Sequence, residues 1–269
     1  MFSENEELKR IQECCLESLQ EIIKICDKNN LAYYLCGGTL LGAIRYNGFI
    51  PWDNDIDIIM PRQDFENFIK IASSELPQGI ILKHYSICKT KDEINAENAQ
   101  VINKNYAFLR HWTKNKKEIN PWIDIFVLDN MPNNSIVRNI IFYKYKILQK
   151  IFQLSISDQI INVSKKRNIF ERIIIKITDI FNPFQKKDPF IILKIMNKIA
   201  IKNYCDFSSI YVCNFSGTYG RKEIMMSDYY KKSIKVDFEG IKCNIPARYD
   251  KILKSLYGDY LKEKKIIVH

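Results

Sequence analysis

Two aspartates alternate with isoleucines in Asp55-Ile56-Asp57-Ile58-Ile59-Met60, a run closed by Pro61. A period of two belongs to a β-strand, on which residues i and i+2 share a face. Ile56 and Ile58 would then turn into a core while both carboxylates project together from the other face. Two anions so close repel each other unless a cation lies between them. A hard, oxygen-seeking divalent ion such as Mg²⁺ or Mn²⁺ meets that need, and substrate phosphates usually complete its coordination shell. A solvated acid pair at a strand end needs no ion, so the surrounding residues must decide between these readings.

Upstream, LAYYLC (31–36) reads as a strand running directly into Gly37-Gly38-Thr39. A turn without side chains, placed before a helix, lets backbone N–H groups approach a phosphate. TLLGAIRY then forms a short helix with Thr39 as its cap. Downstream, a third acid stands in Trp122-Ile123-Asp124-Ile125-Phe126, within a strand expected over 122–129. An acid between isoleucines is costly to bury without a partner. The alternative for Asp124 is an edge-strand acid facing water.

The rest of the chain supplies helices and a few strands. Leu8, Ile11, Cys15, Leu19, Ile22 and Cys26 recur at three- and four-residue spacing and predict an N-terminal helix ending at Asp27–Asn30. A helix starting near Asp64 should turn Phe65, Phe68, Ile69 and Ala72 inward. Further strands are expected at 80–85 and 106–111. From Ile136 the character shifts to three basic helical stretches: SIVRNIIFYKYKILQKIFQL (135–154), NIFERIIIKITDIF (168–181), and Pro189 to Ile201. Residues 206–269 return to mixed character, with turns at Gly217, Gly220, Gly240, Pro246 and Gly258. The reading is an α/β (α+β) mixed-sheet core with flanking helices and a basic helical insertion. It divides into a catalytic core over 1–130, a basic segment over 131–205, and a part over 206–269 that completes the core and closes a cleft.

Charge follows the same division. Residues 1–130 carry 15 Lys and Arg against 19 Asp and Glu, a net of −4, and residues 131–269 carry 26 against 12, a net of +14. The stretch 131–205 holds 14 basic and 4 acidic residues, a net of +10, with lysines interleaved among isoleucine and phenylalanine. That pattern fits an acceptor-side or membrane-surface module, or a helical cap whose lysines are merely solvated. It lacks the clustered motif of a nucleic-acid reader. The chain opens on an acidic, polar stretch rather than a leader, and no apolar run approaches the ~20 residues of a membrane span. A cytoplasmic location follows, with the inner face of the cytoplasmic membrane as the place of any peripheral contact. None of the eight cysteines forms a C-x-x-C pair; buried thiols are expected, with a zinc site or disulfide as the alternative.

Gly-Gly, then an apolar-flanked Asp-x-Asp, then a lone apolar-flanked Asp, in that order, resembles the nucleotidyltransferase fold. The stretch Gly37–Phe68, GGTLLGAIRYNGFIPWDNDIDIIMPRQDFENF, is similar to the LicD family more narrowly, as are PWIDIFVLD (121–129), FEG (238–240), IPARYD (245–250) and LYGDY (256–260). That family contains cholinephosphotransferases of lipopolysaccharide and teichoic acid, and the fukutin-related ribitol-phosphate transferases share its core. The resemblance implies a metal held by Asp55, Asp57 and Asp124, with Asp53 supporting the site. It implies a phosphate turn at Gly37, Gly38 and Thr39. Arg45 would neutralise donor phosphate or make a helix-end salt bridge to Asp53 or Asp64. Trp52 would be a core wedge or a wall of the donor pocket, and Arg62 would orient the site rather than touch substrate. The implied partners are a CDP-alcohol donor, CDP-choline above CDP-ribitol, CDP-glycerol or CDP-ethanolamine, and a glycan or lipid-linked glycan acceptor; nucleotidyl transfer on the same core is the nearest rival. Relatives commonly continue past Y-G-D-Y with a proline and histidines. LKEKKIIVH has no proline, and His269 is given no role.

Overall fold

The computed structural model describes residues 4–90, 93–94, 96–109, 118–156, 188–203 and 208–262. The chain runs α1 (Glu4–Asn29), β1 (Tyr34–Leu35), α2 (Gly37–Tyr46), β2 (Ile56–Pro61), α3 (Arg62–Glu75), β3 (Ile80–Lys83) and β4 (Ala99–Asn103). There follow the short pair β5 (Phe108–Leu109) and β6 (Glu118–Ile119), then β7 (Trp122–Met131), α4 (Ser135–Ser155) and α5 (Pro189–Ala200). The last elements are β8 (Tyr211–Asn214), β9 (Ile224–Met226), the hairpin β10 (Ser233–Phe238) and β11 (Ile241–Pro246), and α6 (Tyr249–Tyr257). This is the mixed α+β architecture that the sequence implied.

The long strand β7 organises the sheet. Its first half pairs antiparallel with β4, its second half antiparallel with β8, and its other edge parallel with β2. The order β1-β2-β7-β4-β3 is extended by β8 and β9. Along β2 and β7 the alternation holds: Ile56, Ile58, Ile123 and Ile125 are fully buried on one face. Helices α1 and α3 cover that face with Ile11, Cys15, Leu19, Ile22, Phe65 and Phe68. A second core forms where α4 and α5 bring Ile141, Phe142, Tyr145, Phe152, Leu193 and Met196 onto Met131, Cys213 and Phe215.

Several details depart from the sequence reading. Thr39 does not cap α2. The helix starts two residues earlier, after Cys36, which makes no side-chain cap hydrogen bond. Thr39 lies inside the first turn, and its Oγ1 accepts a hydrogen bond from the Asp57 N–H at 2.8 Å. Of the strand expected over 106–111, Phe108–Leu109 is present, paired with Glu118–Ile119 outside the main sheet, and 110–111 lie outside the described residues. The strand β4 was not foreseen. The first and third basic helices are present, capped by the side chains of Asn134 and Asp188; NIFERIIIKITDIF lies outside the described residues. So do Cys205 and His269. The seven described cysteines are free thiols, five of them buried. No helix among the described residues is long and apolar enough to cross a membrane.

Candidate active site

Parallel pairing of β2 with β7 sets Asp57 directly across from Asp124, and Asp55 stands one residue before β2 begins. One carboxylate oxygen from each of the three lies within 4.8 Å of the others. The N-terminus of α2 meets this cluster. The Cys36 N–H donates to the Asp57 carbonyl at 3.1 Å, and Thr39 holds the Asp57 N–H, so the helix start is tied to the strand on both sides. Gly37 sits at φ +54°, and a Cβ there would fall 2.9 Å from Asp57 Oδ2. Only glycine lets the helix begin so close to the carboxylate.

The three acids open into a cleft of about 260 Å³. Gly37 and Gly38 form part of its wall; β8, β9 and α6 contribute Asn214, Met225, Ile252 and Leu256, and the 3₁₀ turn Gly220–Glu223 contributes Glu223. No Lys, Arg or His is among the residues lining it. Burial, then repulsion from Asp57, Asp53 and Asp124, pushes the Asp55 carboxyl well above the usual range. Burial, then Asp124, Asp53 and Glu223, does the same to Asp57. Burial raises Asp53 to about 6, against the pull of hydrogen bonds with Asp55 and Asn54. Asp124 is steadied differently. Asn98 Nδ2 at 2.6 Å and Gln100 Nε2 at 2.8 Å donate to its Oδ1, and Trp122 Nε1 donates to Oδ2 at 2.9 Å. Converging, half-buried, mutually repelling carboxylates with no cationic side chain among the described lining residues are a donor set that fits a hard divalent cation.

Residues 30–156 match the family described as LicD/FKTN/FKRP, nucleotidyltransferase domain, a span that contains Gly37 and all three aspartates. The chain carries a match to the LicD-family domain over residues 30–156. It is 28% identical over 257 residues to the lipopolysaccharide cholinephosphotransferase LicD of Haemophilus influenzae, covering 95% of this chain and 91% of that protein. It is 35% identical over 66 residues to the human and mouse ribitol 5-phosphate transferase FKRP, covering 23% of this chain and 13% of FKRP.

Around this site the other predicted residues separate. Asp53 is 5% exposed and lies behind Asp55, outside the cleft lining; its carboxylate takes the Asn54 N–H, and its carbonyl accepts from Gln12. Arg45 also lies outside the lining. Its guanidinium rests 5.4 Å from the centre of the Tyr46 ring. Trp52 is 47% exposed, so it is neither a core wedge nor a wall of this cleft. Arg62 is buried and grips Asp129 through two hydrogen bonds of 2.7 Å, with further bonds to Glu66 and Asn197. It braces α3, β7 and α5, and it is not among the described residues that line the cleft.

Sequence reasoning missed Asn98, Gln100, Trp122 and Glu223. Trp122 could have been found, since it stands two residues before Asp124 on one strand face. Gln100 reaches Asp124 only because β4 pairs in a register that sets the two opposite each other. Glu223 sits in a 3₁₀ turn and carries no motif. The family motifs outside the aspartates serve the frame. In FEG, Glu239 Oε1 accepts from the Phe49 N–H at 3.1 Å and the Glu239 N–H donates to the Asn47 carbonyl at 2.9 Å, pinning the loop before Asp53. In LYGDY, Tyr257 packs edge-on against Tyr219 on the cleft wall, ring centres 5.1 Å apart.

Proposed function

We propose that this chain moves a phosphorylated alcohol, phosphocholine foremost, from a CDP-linked donor to a sugar hydroxyl of a cell-surface glycan. The observation that carries the reading is the convergence of Asp55, Asp57 and Asp124 at the glycine start of α2. Its support from relatives is that one is a lipopolysaccharide cholinephosphotransferase and others are ribitol 5-phosphate transferases. Mg²⁺ or Mn²⁺ held by the three aspartates would neutralise the donor diphosphate and the charge growing on departing CMP. The first turn of α2 offers N–H groups of Gly37 and Gly38 to phosphate oxygens, with the helix dipole behind them. Asn98, Gln100 and Trp122 fix Asp124 in one orientation. With three donors already on its oxygens, Asp124 acts as a ligand and not as the base for the acceptor hydroxyl. The remaining work is alignment of that hydroxyl with the phosphorus.

The outer faces of α4 and α5 suit a lipid-linked acceptor at a membrane surface. Ile136, Ile140, Tyr143 and Ile147 form an exposed stripe on α4, and Ile191 and Ile195 one on α5, with Lys144, Lys150, Lys194 and Lys198 beside them. The FKRP match favours a second reading, in which ribitol phosphate is the group moved. Incubation with Mg²⁺, a glycan acceptor, and CDP-choline, CDP-ethanolamine, CDP-ribitol, CDP-glycerol or CTP separates these. Acceptor-dependent CMP release fastest from CDP-choline is expected. Faster release from CDP-ribitol favours the second reading, pyrophosphate release from CTP favours nucleotidyl transfer, and no acceptor-dependent release contradicts all CDP-alcohol readings.

A further inference from the structure

Glu223 is the carboxylate in the cleft that the metal site leaves over. It is 7% exposed, lines the same cleft as the aspartates, and does not belong to the three whose oxygens converge. Its Oε1 accepts from the Tyr219 N–H at 3.3 Å, and the bare Cα of Gly217 makes room for it, because a Cβ there would fall 2.2 Å from that oxygen. Among the described residues no cation pairs with it. Lys146, on the neighbouring helix, commits its ammonium to the carbonyls of Phe215 and Gly217 and to Gln149 Oε1, at 2.8 to 2.9 Å. Burial lifts the Glu223 carboxyl to about 7, against the pull of the Tyr219 N–H and of the more distant Lys146 charge, which only partly offset the cost of burial.

Aromatic residues share the cleft with this carboxylate. Tyr219, Tyr230 and Phe126 line the cleft with it. Tyr230 is held edge-on by Tyr34 at 5.8 Å, and its hydroxyl donates to Met225 Sδ at 3.6 Å. Tyr219 is held by Tyr257. A buried carboxylate in a cleft lined by tyrosines that neighbouring rings hold in place matches a cation that forms no directed hydrogen bond, since a quaternary ammonium is held by ring faces and net charge. A neutral polyol would want several hydrogen-bond donors and acceptors instead.

We propose that Glu223, with Tyr219 and Tyr230, seats the positively charged head group of the donor and makes this cleft selective for an alkylammonium alcohol over a polyol. The assignment rests on the phosphotransfer reading above and narrows its substrate. The test is calorimetric binding of CDP-choline and CDP-glycerol, each with Mg²⁺, to the full chain and to Glu223→Gln and Tyr230→Leu, with Mn²⁺ stoichiometry measured on each. Gln keeps the size of the side chain and the acceptor for the Tyr219 N–H. The expected result is wild-type preference for CDP-choline, weakened at least about tenfold in either variant. CDP-glycerol binding should change less than about twofold and the bound Mn²⁺ not at all. No wild-type preference, equal losses for both donors, or a Mn²⁺ ion lost from Glu223→Gln would overturn the assignment. Acceptor-dependent CMP release at the wild-type CDP-choline preference in Glu223→Gln would remove the seat and leave phosphotransfer standing. A Glu223-dependent choline preference in binding without CMP release from any donor would do the reverse.

Discussion

Gly37 and Asp57 are packed so that a methyl group at position 37 would lie against Asp57 Oδ2 at 2.9 Å, on a backbone at φ +54°. Alanine there meets two penalties: a left-handed conformation costing ~1 kcal/mol and a carboxylate pushed from its place. Gly37→Ala should therefore stay folded by thermal melting yet lose metal affinity and at least about tenfold in transfer rate, because small misplacements of reacting groups are expensive. Wild-type turnover in that variant would mean the close approach has no function. At this scale the aspartates and the glycines were legible, because acids alternating with isoleucines and glycines between a strand and a helix are written locally. Asn98 and Gln100 were not, because they reach Asp124 from more than 20 residues away, and Glu223 was not, because its place in the cleft depends on how the C-terminal part packs against the sheet. Arg45 and Trp52 lie close to the motif in sequence, and the fold turns both away from the cleft lining.

Between elements, the buried Arg62–Asp129 pair joins α3 to β7, and Arg62 also reaches Asn197 on α5. Removing one partner strands the other charge in the interior, which typically costs about 3–5 kcal/mol. Arg62→Met should lose that much in urea unfolding, and Arg62→Met with Asp129→Leu should recover most of it. A single variant costing under about 1 kcal/mol would show that water reaches Asp129. The helices were easy to find by periodicity, but their facing was not. In α4 the isoleucines run around the helix: Ile141 is buried with Phe142 and Phe152, whereas Ile136, Ile140 and Ile147 are 69%, 49% and 61% exposed. If that outer stripe meets an anionic membrane, the chain should bind phosphatidylglycerol vesicles at about 20 mM salt and release as salt rises. Ile140→Asp with Ile147→Asp should abolish binding without changing CMP release on a soluble acceptor. Vesicle binding unaffected by the pair would place the contact elsewhere.

Across the whole molecule, two cores meet along β7: the aspartate-bearing half packs under α1 and α3, and the other end of the strand packs under α4 and α5. The C-terminal residues close the cleft from the far side through Tyr219, Glu223, Tyr230, Ile252 and Leu256. That closure was only partly legible. LYGDY pointed to a structural turn near the cleft, but nothing local in 208–230 announced a wall with its own carboxylate. The adjacency of β2 and β7 was legible in the motif order, since two acid-bearing strands serving one ion must lie side by side, whereas the mixed sheet was implied by the family resemblance.

The claim on which the rest depends is that Asp55, Asp57 and Asp124 together hold the cation that transfer needs, and Asp57→Asn tests it most directly. Asparagine preserves shape and the backbone bond to Thr39, and it removes one of the repelling charges, so the fold should survive. Acceptor-dependent CMP release from CDP-choline, measured with saturating Mg²⁺, should fall at least about 10²-fold, the scale of losing one electrostatic stabiliser of a transition state. Near-normal release from Asp57→Asn would contradict the assignment of the three aspartates.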